Sequence, residues 1–395
     1  MFRRSSNFLS GVRKDVSQNR ATETALRNIK RTLFLIEVPL EPEAGMIMAT
    51  QREIMCAALD LQEMDRPAVA SLTLMTQDMF IRSGLNPNGI FDRPKDLAAL
   101  SKYGYDIYGF DSCEIFNIWS HTEFLGVTVD YGDGTSQPHV KDTPFNINSE
   151  MKTPDIDDYL KFPKMKASIE GLKTLRKLAG KDVAINCISS WGPLTTAGHL
   201  IGTEDLMFAI ATDPDDAKKL IKFVADFNAE AYKLELEKGA LEYVDFMCVA
   251  EPSASGDLIS PEMFKEFALP FNKKEHKTMR KAGMRTMLHI CGNTTANLPL
   301  MIECGSNAVS VEQTVDPYEI VKIANNKVAM FGNIGPIAPL WQGTPEQVAK
   351  DVERCIDAGF RVIAPGCSFV PMTPKDNILA MTDTVKKSKK KFKKV

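Results

Sequence analysis

Short apolar runs alternate with longer segments of helical periodicity from Pro67 onward. The helical segments include 215–238, 261–282 and 345–358, where apolar residues recur at helical spacing. Apolar runs that alternate with helices are typical of strands buried on both faces of a parallel sheet. Eight such strands favour closure into a (β/α)₈ barrel, the TIM-barrel fold. The eight candidate strands span 68–74, 106–110, 183–188, 243–249, 286–290, 308–311, 328–331 and 361–364.

The alternation of strands and helices is interrupted by residues 127–147. Apolar and polar positions alternate there around Tyr131-Gly-Asp-Gly, which is typical of a β-hairpin. We therefore predict a hairpin insertion after the second strand.

The start of the barrel is indicated by a helix signal. Thr50 and Glu53 have the spacing of a capping box and precede an amphipathic segment. We predict a barrel domain over residues 48–385, an N-terminal extension of uncertain role over 1–47, and a lysine-rich tail over 386–395.

Charge is distributed unevenly along the chain. The net charge is −3, but residues 1–47 carry +3 and the tail carries seven lysines, so residues 48–385 carry −13. An acidic body argues against a nucleic-acid groove, and a basic tail of this kind is usually solvated and disordered. No run of 18 apolar residues occurs, which argues against a membrane span. The 8 cysteines are scattered rather than closely paired, which predicts a cytoplasmic protein with reduced thiols.

Chemically useful side chains follow several candidate strands directly. Strand five ends in His289-Ile-Cys291, strand six is followed by Glu312, and strand eight is followed by Pro365-Gly-Cys367. Barrel enzymes place their active sites at the carboxyl ends of the strands. We therefore expect these side chains to meet at one mouth of the barrel.

His289, Cys291 and Cys367 form a candidate zinc site. Alternation along a strand puts His289 and Cys291 on one face, with Cα atoms roughly 6–7 Å apart. One imidazole and two thiolates suit Zn²⁺, and three protein ligands leave the fourth position for chemistry. Glu312 is a candidate fourth ligand or proton acceptor. The alternative is three buried, inert side chains.

The other histidines are interpreted differently from His289. They lack partners at ligand spacing, so we predict surface or hydrogen-bonded positions for them. These residues are His121, His139, His199 and His276.

Several motifs together resemble the uroporphyrinogen decarboxylase superfamily, and within it the methylcobamide:coenzyme M methyltransferase branch of methanogenic archaea. The motifs are His289-Ile-Cys291-Gly-Asn293, Glu312 before Val315-Asp316, Phe331-Gly-Asn-Ile-Gly335-Pro336, Gly192-Pro193-Leu-Thr195 and Pro365-Gly-Cys367. The resemblance covers roughly residues 48–385.

This resemblance implies a TIM barrel that binds one zinc ion per chain through His289, Cys291 and Cys367. It implies methyl transfer from a methylcobamide, carried by a corrinoid protein as partner, to coenzyme M (2-mercaptoethanesulfonate). The product would be methyl-coenzyme M for methanogenesis. Asn293, Ser253 and Ser255 are candidates to bind the sulfonate group.

Three other functions remain open at this point. The same chemistry could use a different thiol or a different corrinoid partner. Uroporphyrinogen decarboxylation would require several cationic groups for a substrate with eight carboxylates, and residues 73–79 contain no arginine. A non-enzymatic barrel with a structural zinc ion would require a fourth strong ligand, which the sequence does not offer at an obvious spacing.

Overall fold

Eight parallel strands form the central sheet of the computed structural model, which describes residues 49–116, 119–133 and 136–395. The extension predicted over 1–47 lies outside the described residues. The order in the sheet is β1-β10-β9-β8-β7-β6-β5-β2, and β3 pairs with β4 in a separate antiparallel hairpin. The strands are β1 (Ala68–Val69), β2 (Ser112–Phe116), β3 (Thr128–Asp130), β4 (His139–Asp142), β5 (Ala184–Trp191), β6 (Phe246–Ala250), β7 (Arg285–Ile290), β8 (Ala308–Val311), β9 (Ala329–Ile334) and β10 (Val362–Pro365).

The gap between β1 and β2 is bridged by Asp111, which precedes β2. Its N–H donates to the carbonyl of Val69 over 2.8 Å, and its carboxylate accepts from the N–H of Val69 over 2.8 Å. The sheet is therefore nearly closed, and the predicted (β/α)₈ barrel with a hairpin after the second strand is confirmed.

Helices surround the sheet and separate successive strands. A large apolar cluster fills the space between the sheet and this outer layer, and a second cluster fills the barrel interior. The helices are Gln51–Leu59, Gln77–Ser83, Pro94–Tyr108, Ser120–Phe124, Ile156–Tyr159, Pro163–Ala179, Pro193–Ile201, Thr203–Thr212, Pro214–Glu237, Pro261–Phe267, Leu269–Lys281, Leu298–Glu303, Pro317–Ala324, Pro345–Ala358 and Lys375–Lys387, with short 3₁₀ turns at Ile90–Asp92 and Pro252–Ala254 and a π-helical segment at Pro336–Trp341. Within the described part of the chain, no helix is long and apolar enough to cross a membrane.

Helix Gln51–Leu59 covers the amino-terminal end of the barrel. The predicted capping box of Thr50 and Glu53 starts this helix. Arg52 pairs with Asp245 at the start of β6, and the helix buries its apolar face against the interior cluster. Because this end is covered by a helix, the carboxyl end is left for binding and chemistry.

The second strand was predicted in the wrong place. Residues 106–110 belong to the end of helix Pro94–Tyr108 and to the turn that follows it. Gly109 ends the helix with φ +72°, a left-handed conformation that glycine adopts readily, and the strand begins only at Ser112. Aromatic residues on the inner face of the helix were therefore interpreted as a strand.

Two further expectations differ from the structure. The helix expected over 261–282 is two helices, which are separated at Ala268. The lysine-rich tail has exposed lysines but is attached to the barrel, because the side chain of Phe392 is 8% exposed and its backbone pairs with Met64. The Arg361 guanidinium lies over the Phe392 ring at 5.2 Å from the centroid. Arg361 also donates to the carbonyl of Lys393, and the N–H of Val395 donates to Leu61, so several contacts fix the tail to the barrel.

Glu114 on β2 is a buried carboxyl group. It accepts the N–H of Thr73 over 2.7 Å and an amide N–H of Asn186 over 3.1 Å. Burial raises the pKa of Glu114 from 4.5 to about 7. Between pH 4.5 and pH 7, Glu114 therefore keeps its proton in the folded chain and loses it in the unfolded chain.

We expect the free energy of unfolding to decrease by about 3 kcal/mol from pH 4.5 to pH 7 because of this proton. Glu114→Gln should remove this contribution, because an amide does not titrate. The variant should still fold, since the Oδ1 atom of Asn186 has no hydrogen-bond partner among the described residues and can accept from the new amide. Urea unfolding at several pH values measures the difference. The exposed Glu303→Gln is the matched control, and parallel pH profiles for Glu114→Gln and the control would contradict the prediction.

Candidate metal centre

His289 is held in a fixed orientation inside the barrel. It lies on β7, is 4% exposed, and pairs in register with Ser310 on β8. The hydroxyl of Ser310 lies 2.9 Å from Nδ1 of His289, so Nε2 is the nitrogen available to the mouth of the barrel. An orienting partner of this kind commonly supports a histidine that binds a metal.

Two half-buried thiols lie against this imidazole. Sγ of Cys291 lies 3.0 Å from Nε2 of His289 and 3.4 Å from Sγ of Cys367. Both cysteines are free. Among the described residues, these three form the one group of His, Cys, Asp or Glu side chains whose ligand atoms all lie within 4.8 Å of one another. The structure thus brings together the three residues that were predicted as zinc ligands.

The two thiols shift each other's pKa in opposite directions. Hydrogen bonding from Cys291 holds the pKa of Cys367 well below its usual value, against the opposing effect of burial, and hydrogen bonding from His289 adds to it. The bond to Cys367 and burial raise the pKa of Cys291. A lowered thiol pKa suits a metal ligand, because the thiolate is the form of cysteine that binds a metal.

The loop after β7 is fixed by Asp257. Its Oδ2 accepts the N–H of Asn293 over 2.8 Å and lies against Gly292, which has φ +75°. A Cβ at Gly292 would lie 2.4 Å from Oδ2 of Asp257 and 2.6 Å from Oγ of Ser255. The close approach and the positive φ both require glycine, and together they set the position of Cys291.

Glu312 lies near the three donor atoms but outside their group. It is half-buried, and its carboxylate accepts the N–H of Gly292. Burial raises the pKa of Glu312, and the charge of Cys367 adds to this effect. Its role as fourth ligand or proton acceptor stays a prediction.

Of the three candidates for sulfonate binding, Ser255 uses its hydroxyl within the protein, and the role of all three stays a prediction. Oδ1 of Asn293 accepts from the N–H and the hydroxyl of Thr295. Ser255 donates to Asp257, and the N–H of Ser253 donates to Thr195. Ser310 and Asp257 were not among the predicted site residues. Alternation places Ser310 on the same face as Glu312, but its contact with His289 depends on the register of β8 against β7. The Asp257 contact depends on how two loops meet.

The hairpin and the loops beside it form the outer part of the barrel mouth. Tyr131, Phe91 and Phe116 line two adjoining cavities there, of about 400 and about 300 Å³, which open to solvent. Among the described residues lining these cavities, Lys164 is the single cation, and it pairs with Asp92. The described lining of these cavities thus combines aromatic, aliphatic and uncharged polar residues.

A parallel (β/α)₈ barrel with an imidazole and two thiols gathered at its carboxyl end defines a barrel enzyme with a candidate metal centre. The family model described as uroporphyrinogen decarboxylase (URO-D) matches residues 50–388. The chain belongs to this family, as the sequence motifs predicted.

Relatives that are 27–34% identical to this chain and cover more than four fifths of it are named as methyltransferases. The chain is 34% identical over 348 residues to the methylcobamide:CoM methyltransferase MtbA of Methanosarcina acetivorans, covering 86% of this chain and 98% of the relative. It is 27% identical to the methylcobamide:CoM methyltransferase MtaA of Methanosarcina barkeri, covering 84% and 96%. A solved methyltransferase structure from Methanosarcina mazei has a TM-score of 0.78 at 23% identity, covering 86% and 99%, and supports the fold. The prediction that this chain is a methyltransferase is confirmed by the curated relatives.

Proposed function

We propose that this chain transfers a methyl group from a methylated corrinoid protein to the thiol of coenzyme M, giving methyl-coenzyme M for methanogenesis. The observation that carries the proposal is the gathering of one imidazole nitrogen and two thiol sulfurs within 4.8 Å at the barrel mouth. The relatives named methylcobamide:CoM methyltransferases support the same reaction. Reduced thiols fit a cytoplasmic location.

His289, Cys291 and Cys367 are the residues that would hold one zinc ion per chain. Tetrahedral coordination at about 2.0–2.3 Å separates ligand atoms by roughly 3.4–3.8 Å. The observed separations of 3.0 and 3.4 Å need to open by only a few tenths of an ångström. Zinc held by three protein ligands supplies a Lewis acid that lowers the pKa of a thiol at the remaining position.

The residues of the chain then have separate tasks. Ser310 fixes the His289 ring, Asp257 fixes the loop that carries Cys291, and Glu312 is the proposed acceptor of the thiol proton. In the transfer, the substrate sulfur forms a bond to the methyl carbon as the carbon–cobalt bond breaks. The electron pair of that bond stays on cobalt, which changes from Co(III) to Co(I), and the thiol proton is released.

Decarboxylation of a porphyrinogen fits the site less well. A substrate with eight carboxylates calls for several cations in the cleft. Among the described residues lining the two mouth cavities, only Lys164 is cationic, and it is already paired. The observed lining favours an apolar partner surface and a small thiol substrate.

A panel of thiols with methylcobalamin as donor tests the proposed function. We expect methyl transfer to 2-mercaptoethanesulfonate, with formation of cob(I)alamin measured by absorbance, and about one zinc ion per chain by metal analysis. If another thiol is methylated faster, the proposed substrate is wrong but the proposed type of reaction is retained. Equal activity of the metal-free protein, or no transfer to any thiol by the zinc-loaded protein, would overturn the proposal.

A further inference from the structure

Three aromatic rings at the mouth of the barrel carry nitrogen atoms without a partner. The rings of Trp119 and Trp191 lie 5.0 Å apart between centroids, and each lies 5.2 Å from the ring of His199. Among the described residues, Nε1 of both tryptophans and Nδ1 of His199 are buried and have no hydrogen-bond partner. A buried indole N–H without an acceptor costs about 1–3 kcal/mol, so two of them beside an imidazole nitrogen that donates in one tautomer call for a ligand with several acceptors.

The position of Trp191 follows from a bulge in β5. The register of β5 against β6 shifts between Ile188 and Ser190, which reverses the alternation of the strand. Ser190 consequently bonds to Tyr232 of an outer helix, while Trp191 packs against the interior cluster. Without the bulge, alternation from Ile188 would turn Trp191 away from the interior.

The ring cluster and the candidate metal centre lie in one layer of the barrel. Trp191 is in register with Ala250, and Ala250 is in register with His289. Neighbouring strands are about 4.8 Å apart, so the backbones of Trp191 and His289 are roughly 10 Å apart. Strand β6 lies between them, and in this layer it points the small side chain of Ala250 into the barrel. A short ligand can therefore reach both places.

An anionic group is more stable beside the cluster of Trp119, Trp191 and His199 than on the opposite side of the metal centre, because of the charges on that side. On the opposite side, Asp257 and Glu312 are close enough to influence each other. The carboxyl group next to Ala250 belongs to Glu251, which faces the start of helix Pro193–Ile201 and accepts from Thr195 and Asn272. Burial lowers the pKa of His199 to about 4, so the imidazole is neutral at physiological pH and can donate from one nitrogen. The cluster thus offers neutral donors away from the acidic pair.

We infer that Trp119, Trp191 and His199 form the subsite for the anionic end of the thiol substrate. The inference rests on the proposed function, in which that end is a sulfonate. A sulfonate presents three acceptor oxygens, which match two indole N–H groups and one imidazole N–H group. An extended two-carbon chain adds roughly 5 Å to a zinc–sulfur distance of about 2.3 Å, which fits the separation of the two places.

Paired thiols test this subsite through kinetics. Trp191→Phe and Trp119→Phe remove a donor and keep an aromatic ring. For 2-mercaptoethanesulfonate we expect the KM of each variant to rise about tenfold, with kcat within about twofold, because a hydrogen bond to a charged group is lost. For the uncharged 2-mercaptoethanol we expect no change in KM. Trp341→Phe, on the segment after β9, is the matched control and should leave both substrates unaffected. Equal effects on the two thiols, or no effect on the sulfonate, would overturn the inference.

Binding of ethanesulfonate, which has no thiol, separates the subsite from the reaction. We expect it to bind the zinc-loaded protein at least fivefold more weakly when Trp191 or Trp119 is phenylalanine, as measured by calorimetry, with zinc content and thermal unfolding unchanged. If no thiol is methylated but this binding difference is found, the subsite stands and the proposed function falls. If methyl transfer occurs but ethanesulfonate binds all variants equally, the proposed function stands and the subsite falls.

Discussion

Cys367→Ala is expected to abolish stoichiometric zinc binding and to reduce methyl transfer by about 10³-fold or more. The variant leaves His289 and Cys291 as a two-ligand site, which is too few for a stable zinc centre in a protein. A free thiol with a pKa near 8.5 is only about 3% ionised at pH 7, so loss of ionisation alone costs roughly 30-fold. Loss of positioning between thiol and methyl group accounts for the remaining decrease. Metal analysis and the rate with methylcobalamin measure the two effects.

The residual activity of Cys367→Ala should carry a signature in its pH dependence. If the substrate must ionise unaided, the rate should rise about tenfold per pH unit up to the pKa of the free thiol, whereas the rate of the zinc-loaded protein should change little. Cys248→Ala is the matched control, because Cys248 is also a buried thiol of the barrel interior but its pKa is raised by burial. It should retain zinc and activity. Full zinc occupancy in Cys367→Ala, or loss of zinc in Cys248→Ala as well, would contradict this assignment of ligands.

The fold was largely predictable because its buried strands are short apolar runs between long amphipathic helices. The strand at 308–311 and the helix at 345–358 were predicted with the observed bounds. The failure at 106–110 has a physical cause: Ile107 and Tyr108 pack against the core from the end of a helix, and a short segment with apolar residues has the same composition in a helix as in a strand. Gly109 was the available signal, since a glycine directly after a periodic segment is a common helix end.

The candidate site was predictable where it depends on residues within one strand and unpredictable where it depends on neighbouring strands. His289 and Cys291 share a face through simple alternation, and Cys367 follows another strand end. The contact of Ser310 with His289 requires the register of β8 against β7, which the sequence does not contain. The cluster of Trp119, Trp191 and His199 requires a bulge that reverses alternation in β5. His199 and His276 also differ from expectation. Among the described residues, Nδ1 of His199 and both ring nitrogens of His276 are buried and have no hydrogen-bond partner.

Gly292→Ala is expected to weaken zinc binding by about 10- to 100-fold and to reduce activity in proportion, although residue 292 is not a candidate ligand. The new methyl group would lie 2.4 Å from Oδ2 of Asp257. Either Asp257 must release the N–H of Asn293 or the loop must move, and both displace Cys291 from His289. Loss of a supporting contact around a metal ligand commonly has an effect of this size. Competition with a chromophoric zinc chelator measures the affinity.

The effect of backbone strain must be separated from the displacement of Cys291. Gly283, at the other end of the same strand, provides the control. Gly283 precedes β7 as Gly292 follows it, and its φ is +86° against +75° at Gly292. A Cβ at Gly283 would meet nothing within 4 Å. Gly283→Ala should therefore lose about 1 kcal/mol of stability from the left-handed conformation and keep wild-type zinc affinity. If both variants lose stability and neither loses zinc affinity, the Asp257 contact does not position Cys291. If Gly292→Ala alone loses zinc, the glycine after Cys291 is required because it admits the carboxylate that fixes the metal-binding loop.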